Sequence, residues 1–271
     1  MSSGQAPPNI GRITYRENLT PDLAIIRMQP ADGSAVPDFK AGQFVALGLK
    51  LDGDDKITYR AYSLSSPPEE KRHFEFYIKW ATEPVMGKFT SALFKMGDSG
   101  ELYWRKPAGA FTIEDKRPDG SPETRRLILV ASGTGLAPFV SYALHLQNIG
   151  SKRHVVLLHG AKYAMELGYR DLFERMAATN ANFKYLPTVS RPAHPLSQGW
   201  RGSIGRVEAL LGSQLEKTLG EKVTPQNSFF HICGYQGTID SVVAFLAPLG
   251  FVTNRSKRKD GSFDIKIELY G

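Results

Sequence analysis

A single cysteine, Cys233, stands in 271 residues, which excludes an intrachain disulfide and any all-cysteine metal cluster within the polypeptide. Internal repeats and low-complexity tracts are absent. The opening Met1–Pro8 has no basic region followed by an apolar core, so no secretory leader is expected. The cytoplasm is then the expected location, with an organelle after processing as the alternative. One stretch, Leu127–Leu146, runs long enough without a formal charge to span a bilayer. Its Ser132-Gly133-Thr134-Gly135 break, Pro138 and His145 favour a strand, turn and helix instead, so no membrane span is expected. Acidic residues are outnumbered, 27 against 34 Lys and Arg, for a net charge of +7 and a pI near 9.4. That balance suits steering of an acidic partner. The densest basic run, Arg255-Ser256-Lys257-Arg258-Lys259, has no interleaved aromatics. It reads first as a solvated loop and second as a docking face, and no nucleic-acid partner is expected.

Length permits two domains with substantial cores. Before about residue 113 the chain gives short alternating strands, among them Arg12–Arg16, Leu23–Met28 and Gln43–Leu49, cut by Pro, Gly and Asp turns. After about residue 124 strands alternate with helices through Val155–Leu158, Tyr169–Ala178, Phe183–Leu186, Val207–Leu211, Phe229–Cys233, Ile239–Leu246 and Phe263–Glu268. The polar stretch Glu114–Glu123 between them is the expected boundary. The division is therefore 1–113, a linker at 114–123, and 124–271.

Two places carry candidate chemistry. Arg60-Ala61-Tyr62-Ser63 continues an alternation from about Lys56, so Arg60 and Tyr62 share one face and Ala61 and Ser63 the other. A guanidinium there can fork onto a pyrophosphate, and Tyr62 offers a flat amphipathic ring. By itself the tetrapeptide reads first as an ordinary strand with an exposed Arg and a half-buried Tyr. His73–Trp80 reads as a further strand, and Gly87-Lys88-Phe89-Thr90-Ser91 opens a short helix whose amides and hydroxyls suit a second phosphate. The other place is sharper. Arg126–Ala131 reads as a strand buried on both faces that empties into Ser132-Gly133-Thr134-Gly135, with a helix following to about Asn148. Glycines admit close approach of a pyrophosphate, and Pro138 is tolerated in the first helical turn. Pro138 stands where the third glycine of Gly-x-Gly-x-x-Gly would be, so the dinucleotide fingerprint itself is missing.

These motifs together resemble the ferredoxin/flavodoxin-NADP+ reductase family. Arg60-Ala61-Tyr62-Ser63 resembles its Arg-x-Tyr-Ser flavin motif, Gly87–Thr90 its second FAD phosphate turn, and Gly133–Pro138 its Gly-Thr-Gly-x-Ala-Pro nicotinamide motif. His231-Ile232-Cys233-Gly234 resembles the strand-end Cys-Gly beside the nicotinamide, and Glu268-Leu269-Tyr270 the Glu-x-Tyr ending whose tyrosine covers the flavin ring. Gly271 after that tyrosine, and Tyr235-Gln236-Gly237 in place of Asn-Pro, depart from the pattern. The resemblance implies an N-terminal antiparallel β-barrel for FAD and a C-terminal α/β domain with a parallel sheet for NADP(H). FAD contacts are implied for Arg60, Ala61, Tyr62, Ser63, Tyr77, Ile78, Lys79, Gly87, Lys88, Phe89, Thr90 and Tyr270. Nucleotide contacts are implied for Gly133, Thr134, Gly135 and Pro138. Lys162, Arg191 and Arg206, each at a loop start after a parallel strand, imply a 2′-phosphate and hence NADP, with Arg201 an alternative to Arg206.

By the same resemblance Ser63 and Cys233 line the hydride path, Glu268 orients it, and Tyr270 holds the nicotinamide's place until displaced. Electrons would then pass singly to an acidic ferredoxin or flavodoxin, with the enzyme acting as a monomer. Two alternatives stay open: an NADH-dependent reductase component of an oxygenase, and a flavin-binding module without turnover. With no aromatic beyond Tyr270, weaker FAD retention or a folded-back cofactor is expected.

Overall fold

The computed structural model describes residues 8–51, 53–82, 86–97 and 100–270. Met1–Pro7 and Gly271 lie outside them. The chain divides into two compact units, Met1–Thr112 with Val140–His145, and Ile113–Phe139 with Leu146–Gly271.

The first unit is a six-stranded antiparallel sheet. Its strands are β1 (Asn9–Thr20), β2 (Leu23–Pro30), β3 (Phe44–Lys50), β4 (Ile57–Ser63), β5 (Phe74–Lys79) and β6 (Glu101–Trp104), with helix α1 (Lys88–Lys95) between the last two. Spatial order is β4-β3-β6-β1-β2-β5. The two edge strands meet where Leu64 bridges Phe76 and the Ser65 amide donates to Glu75 O at 2.8 Å, so the sheet closes as a barrel. Alternation then sends Ile26, Met28, Val45, Leu47, Phe74 and Phe76 inward, all but unexposed. Phe89 and Leu93 of α1 join the same core.

The second unit is a parallel sheet of β7 (Arg126–Ser132), β8 (Val155–Ala161), β9 (Phe183–Val189), β10 (Ser203–Ile204), β11 (Ser228–Gly234) and β12 (Ile265–Leu269). Helices α2 (Ala137–Asn148), α3 (Arg170–Thr179), α4 (Ser213–Leu219) and α5 (Gln236–Leu246) connect them. Spatial order is β10-β9-β8-β7-β11-β12. The chain winds outward from β7 in one direction, then returns to its other side at β11. Residues 127–131 and all of β8 and β11 are buried, as strands covered on both faces require. The Leu127–Leu146 run is therefore cut into β7, a single 3-10 turn at Gly133–Leu136, and α2. Among the described residues no helix is long and apolar enough to cross a membrane.

Three details differ from the sequence reading. Val207–Leu211 is one 3-10 turn over Val207–Leu210, because Gly212 at φ +72 ends it before a second turn forms. The two-residue β10 and the seven-residue α4 had no readable periodicity. Residues 114–123 form a small ordered hairpin, with a Lys116–Pro122 bridge and Gly120 at φ +84.

Candidate functional site

In the first unit, β4 places Arg60 and Ala61 on the surface and leaves Tyr62 and Ser63 half-buried. The Arg60 guanidinium is exposed, and its Nη1 donates back to Tyr59 O at 2.9 Å. The Tyr62 ring rests on Phe89, centroids 5.9 Å apart, and burial pushes its phenol up despite the opposing Arg60 charge. Phe89 is thus a core side chain that backs Tyr62. Gly87 caps α1 in extended conformation, and Thr90 Oγ1 donates to Gly87 O and accepts from the Ala81 amide, both at 3.2 Å. A Cβ at Gly87 would lie 2.9 Å from Thr90 Oγ1, so only glycine leaves this turn open. Lys88 beside it is exposed. On β5, Tyr77 and Ile78 are buried, leaving the backbone of this edge strand as what a ligand could meet there. Lys79 is half-buried, 3.4 Å from Asp22.

In the second unit, β7 and β11 are neighbours whose following connections run to opposite sides of the sheet, the geometry in which α/β sheets bind ligands. At the end of β7, Gly133 takes φ +56, and a Cβ on Gly135 would fall 2.3 Å from Cys233 O. No side chain fits there. Pro138 is buried in the first turn of α2, where it costs no hydrogen bond. At the end of β11, Cys233 is buried and pairs in register with Glu268 of β12. Its Sγ lies 3.9 Å from Glu268 Oε2. Burial first, and the carboxylate second, push the thiol well up, so Cys233 is a neutral, polarisable contact and not a thiolate. Tyr270 follows β12 and its Oη donates to Ser132 O at 2.6 Å. The Thr134 side chain and the Gly135 amide face the same phenol oxygen.

Three cations line the carboxyl ends of successive strands: Lys162 after β8, Arg191 after β9 and Arg206 after β10, all exposed. Backbone bonds zip these loops together: Arg191 N to Lys162 O at 3.0 Å, Ser190 N to Ala161 O at 3.0 Å, and Gly205 N to Val189 O at 2.9 Å. Arg201 is also exposed but precedes β10. The structure adds two aromatic residues to this edge. Lys162 Nζ sits 5.2 Å from the Tyr163 ring centre, and Tyr163 stacks on His194 at 4.2 Å. An aromatic directly after a cation at a strand end was the available signal. Tyr235, its ring tilted against that of Tyr270, was legible only as a departure from a motif.

Both units match known domain families. The oxidoreductase FAD-binding domain family matches residues 11–113, and the oxidoreductase NAD-binding domain family matches residues 129–244. Ferredoxin-NADP reductase B of Sorangium cellulosum is 30% identical over 238 residues, covering 88% of this chain and 91% of that protein. The chain belongs to the ferredoxin/flavodoxin-NADP+ reductase family. A ferredoxin-NADP reductase of Pseudomonas aeruginosa is 28% identical over 84% of this chain and 86% of its own. The reductase component of a phenol 2-monooxygenase from Pseudomonas sp. (strain CF600) is 29% identical over 77% of this chain and 53% of its own. The fold matches a Neisseria gonorrhoeae ferredoxin NADP+ reductase solved with FAD and NADP, with TM-score 0.78, 23% identity, and coverage of 98% and 99%. This reductase-family chain is an oxidoreductase with an FAD-binding and an NAD(P)-binding domain. Its residues fit both groups. The exposed Arg60, the backed Tyr62 ring and the open Gly87 turn suit FAD, while the side-chain-free Gly133–Gly135 turn and the cationic strand ends suit a phosphorylated dinucleotide.

Proposed function

We propose that the protein transfers electrons between NADP(H) and a one-electron carrier protein, a ferredoxin or flavodoxin, with FAD as its resident cofactor. FAD, when bound, takes two electrons as a hydride and returns them one at a time. The observation that carries this reading is the pairing of Cys233 with Glu268 beside the Gly133–Gly135 turn, at the switch point of a sheet whose outer strand ends bear Lys162, Arg191 and Arg206. In that arrangement the turn seats the nucleotide, and the neutral Cys233 thiol excludes water without competing as a nucleophile. The Glu268 carboxylate orients its neighbours, and Ser63 of β4 supplies a hydroxyl to the flavin. Arg206 is favoured over Arg201 as the third cation because it follows its strand. The working division is an FAD domain at 1–113, a linker at 114–123 and a nucleotide domain at 124–271. A net charge of +7 supports an acidic carrier, met by a monomeric enzyme in the cytoplasm.

Anaerobic stopped-flow absorbance of the flavin band, with NADPH and NADH mixed separately, tests the reading. Fast bleaching by NADPH and slow bleaching by NADH is expected. In the Arg191→Met variant the preference for NADPH falls about tenfold or more, the usual worth of a hydrogen bond to a charged group. The similarity to a monooxygenase reductase component supports a second reading as an NADH-dependent feeder of an oxygenase, and faster bleaching by NADH would establish it. A flavin that neither nucleotide bleaches would leave a binding module.

A further inference from the structure

Tyr235 occupies an unusual place for a large aromatic. It is the N-cap of α5, yet its side chain makes no capping bond, and 52% of it is exposed. Its backbone is fixed, because Thr238 Oγ1 in the first turn of α5 donates to Ser132 Oγ at 3.1 Å and ties the helix to the end of β7. What the ring does meet is Tyr270, at 4.8 Å between centroids and 50° between planes, a favourable tilted pair. Tyr270 is in turn pinned through its amide to Gly234 O at 3.4 Å and through its hydroxyl to Ser132 O. Both rings roof the same glycine. A Cβ built on Gly133 would stand 3.1 Å from Tyr270 Oη and 3.9 Å from Tyr235 Cε2. The Thr134 hydroxyl and Gly135 amide, which an anionic ligand on this turn would use, face the Tyr270 phenol oxygen instead.

From this we infer that Tyr235 is a positioning residue for nucleotide binding: its ring latches Tyr270 into the Gly133–Gly135 turn and so sets how readily that turn opens. A ligand reaching the turn must break the hydroxyl bond and the ring pair together. Its apparent affinity is the intrinsic one multiplied by the fraction of molecules with the turn open. The inference rests on the proposed function in one respect, that the turn seats NADP(H).

Calorimetric titration of the flavin-loaded protein with NADP+ and, separately, with adenosine 2′-monophosphate tests it. The proteins compared are the wild type, Y235A, Y235F, Y270S and the double variant Y235A/Y270S. Loss of one aromatic pair corresponds to about two- to tenfold in an equilibrium constant, so Y235A is expected to bind NADP+ tighter by that factor. Y235F restores wild-type affinity, because the ring and not its hydroxyl makes the pair. Adding Y235A to Y270S changes nothing further, since the latch has nothing left to hold. Affinity for adenosine 2′-monophosphate, which carries no part of the pyrophosphate that this turn would seat, stays constant throughout. Should Y235A lose its fold, Y235L keeps the bulk without the π face and carries the same expectation. Unchanged or weaker NADP+ binding in Y235A, or an equal effect in the Y270S background, overturns the latch. Failure of the wild type to bind NADP+ at all would instead overturn the functional reading beneath it.

Discussion

Replacing Arg125 by methionine should cost the second unit more than any other charge-removing change along the 114–126 segment. The Arg125 side chain is 9% exposed and lies between two carboxylates that are more buried still, Glu123 at 2% and Asp264 at 3%. It reaches Glu123 Oε2 at 2.5 Å and Asp264 Oδ1 at 2.7 Å, donates to Pro225 O and Phe263 O, and covers the Phe229 ring. Methionine fills much of the volume but leaves two desolvated carboxylates short of their shared partner. Breaking a buried pair in this way costs about 3–5 kcal/mol. For a unit of this size each kcal/mol lowers the melting temperature by roughly 2–4 °C, so a drop of roughly 6–20 °C is expected in circular-dichroism melts at pH 7. Asp264→Asn keeps an acceptor and leaves Arg125 with Glu123, so it should cost less.

The pH dependence supplies the check on cause. Burial works to raise the Glu123 pKa, but bonds and charge from Arg125 outweigh it and hold the carboxyl below its ordinary value. A depressed carboxylate stabilises above its unfolded pKa, about 4.5, and that contribution is lost as pH falls through the folded value. The gap between wild type and R125M should therefore narrow in acid. A melting temperature within about 2 °C of wild type, or a gap that does not change with acidification, would refute the reasoning.

Three further outcomes are expected. His159 is fully buried, its pKa pushed down to about 3 by desolvation, with Nδ1 3.0 Å from the Tyr185 hydroxyl; His231 is shifted the same way. An unfolded histidine binds its proton near pH 6.5 and the folded one does not, so denaturant-measured stability should rise with pH between about 3 and 6.5, and His159→Leu should flatten that slope. Gly135→Ala pushes a methyl against Cys233 O, a backbone atom that cannot swing away, so NADP+ affinity measured by calorimetry should fall at least about tenfold while the flavin stays bound. Cys233, buried and neutral, should resist iodoacetamide at pH 8 in the native protein and react once unfolded, as read by mass spectrometry; native labelling would contradict its burial.

Local chemistry made much of this protein readable. The apolar run 127–131 ending in Ser132-Gly133-Thr134-Gly135 announced a buried strand and a close-approach turn, because periodicity and glycine placement are properties of adjacent residues. Arg60–Ser63, Gly87–Thr90 and the three strand-end cations were likewise visible, each within a few positions of a turn signal. What escaped depends on partners remote in sequence. Arg258 read as part of a solvated basic run, yet it bonds Asp264 and donates to Gly250 O at 3.2 Å. Glu123 read as part of a polar boundary, yet it is a buried ion-pair member. β10 is a strand only because β9 lends Thr188 and Val189 as partners.

The sequence by itself determined the two-unit layout, the strand-end positions of the chemistry-bearing side chains and the glycine turns beside them, since these follow from dihedral preference and hydrophobic period. Only the tertiary structure decided which of those groups touch. Cys233 meets Glu268 because β11 and β12 pair in one register, Arg125 meets Asp264 across 139 positions, and Tyr270 fills the Gly133–Gly135 turn because β12 ends beside it. Contacts of that range are selected by the packing of the whole sheet, and no local pattern encodes them.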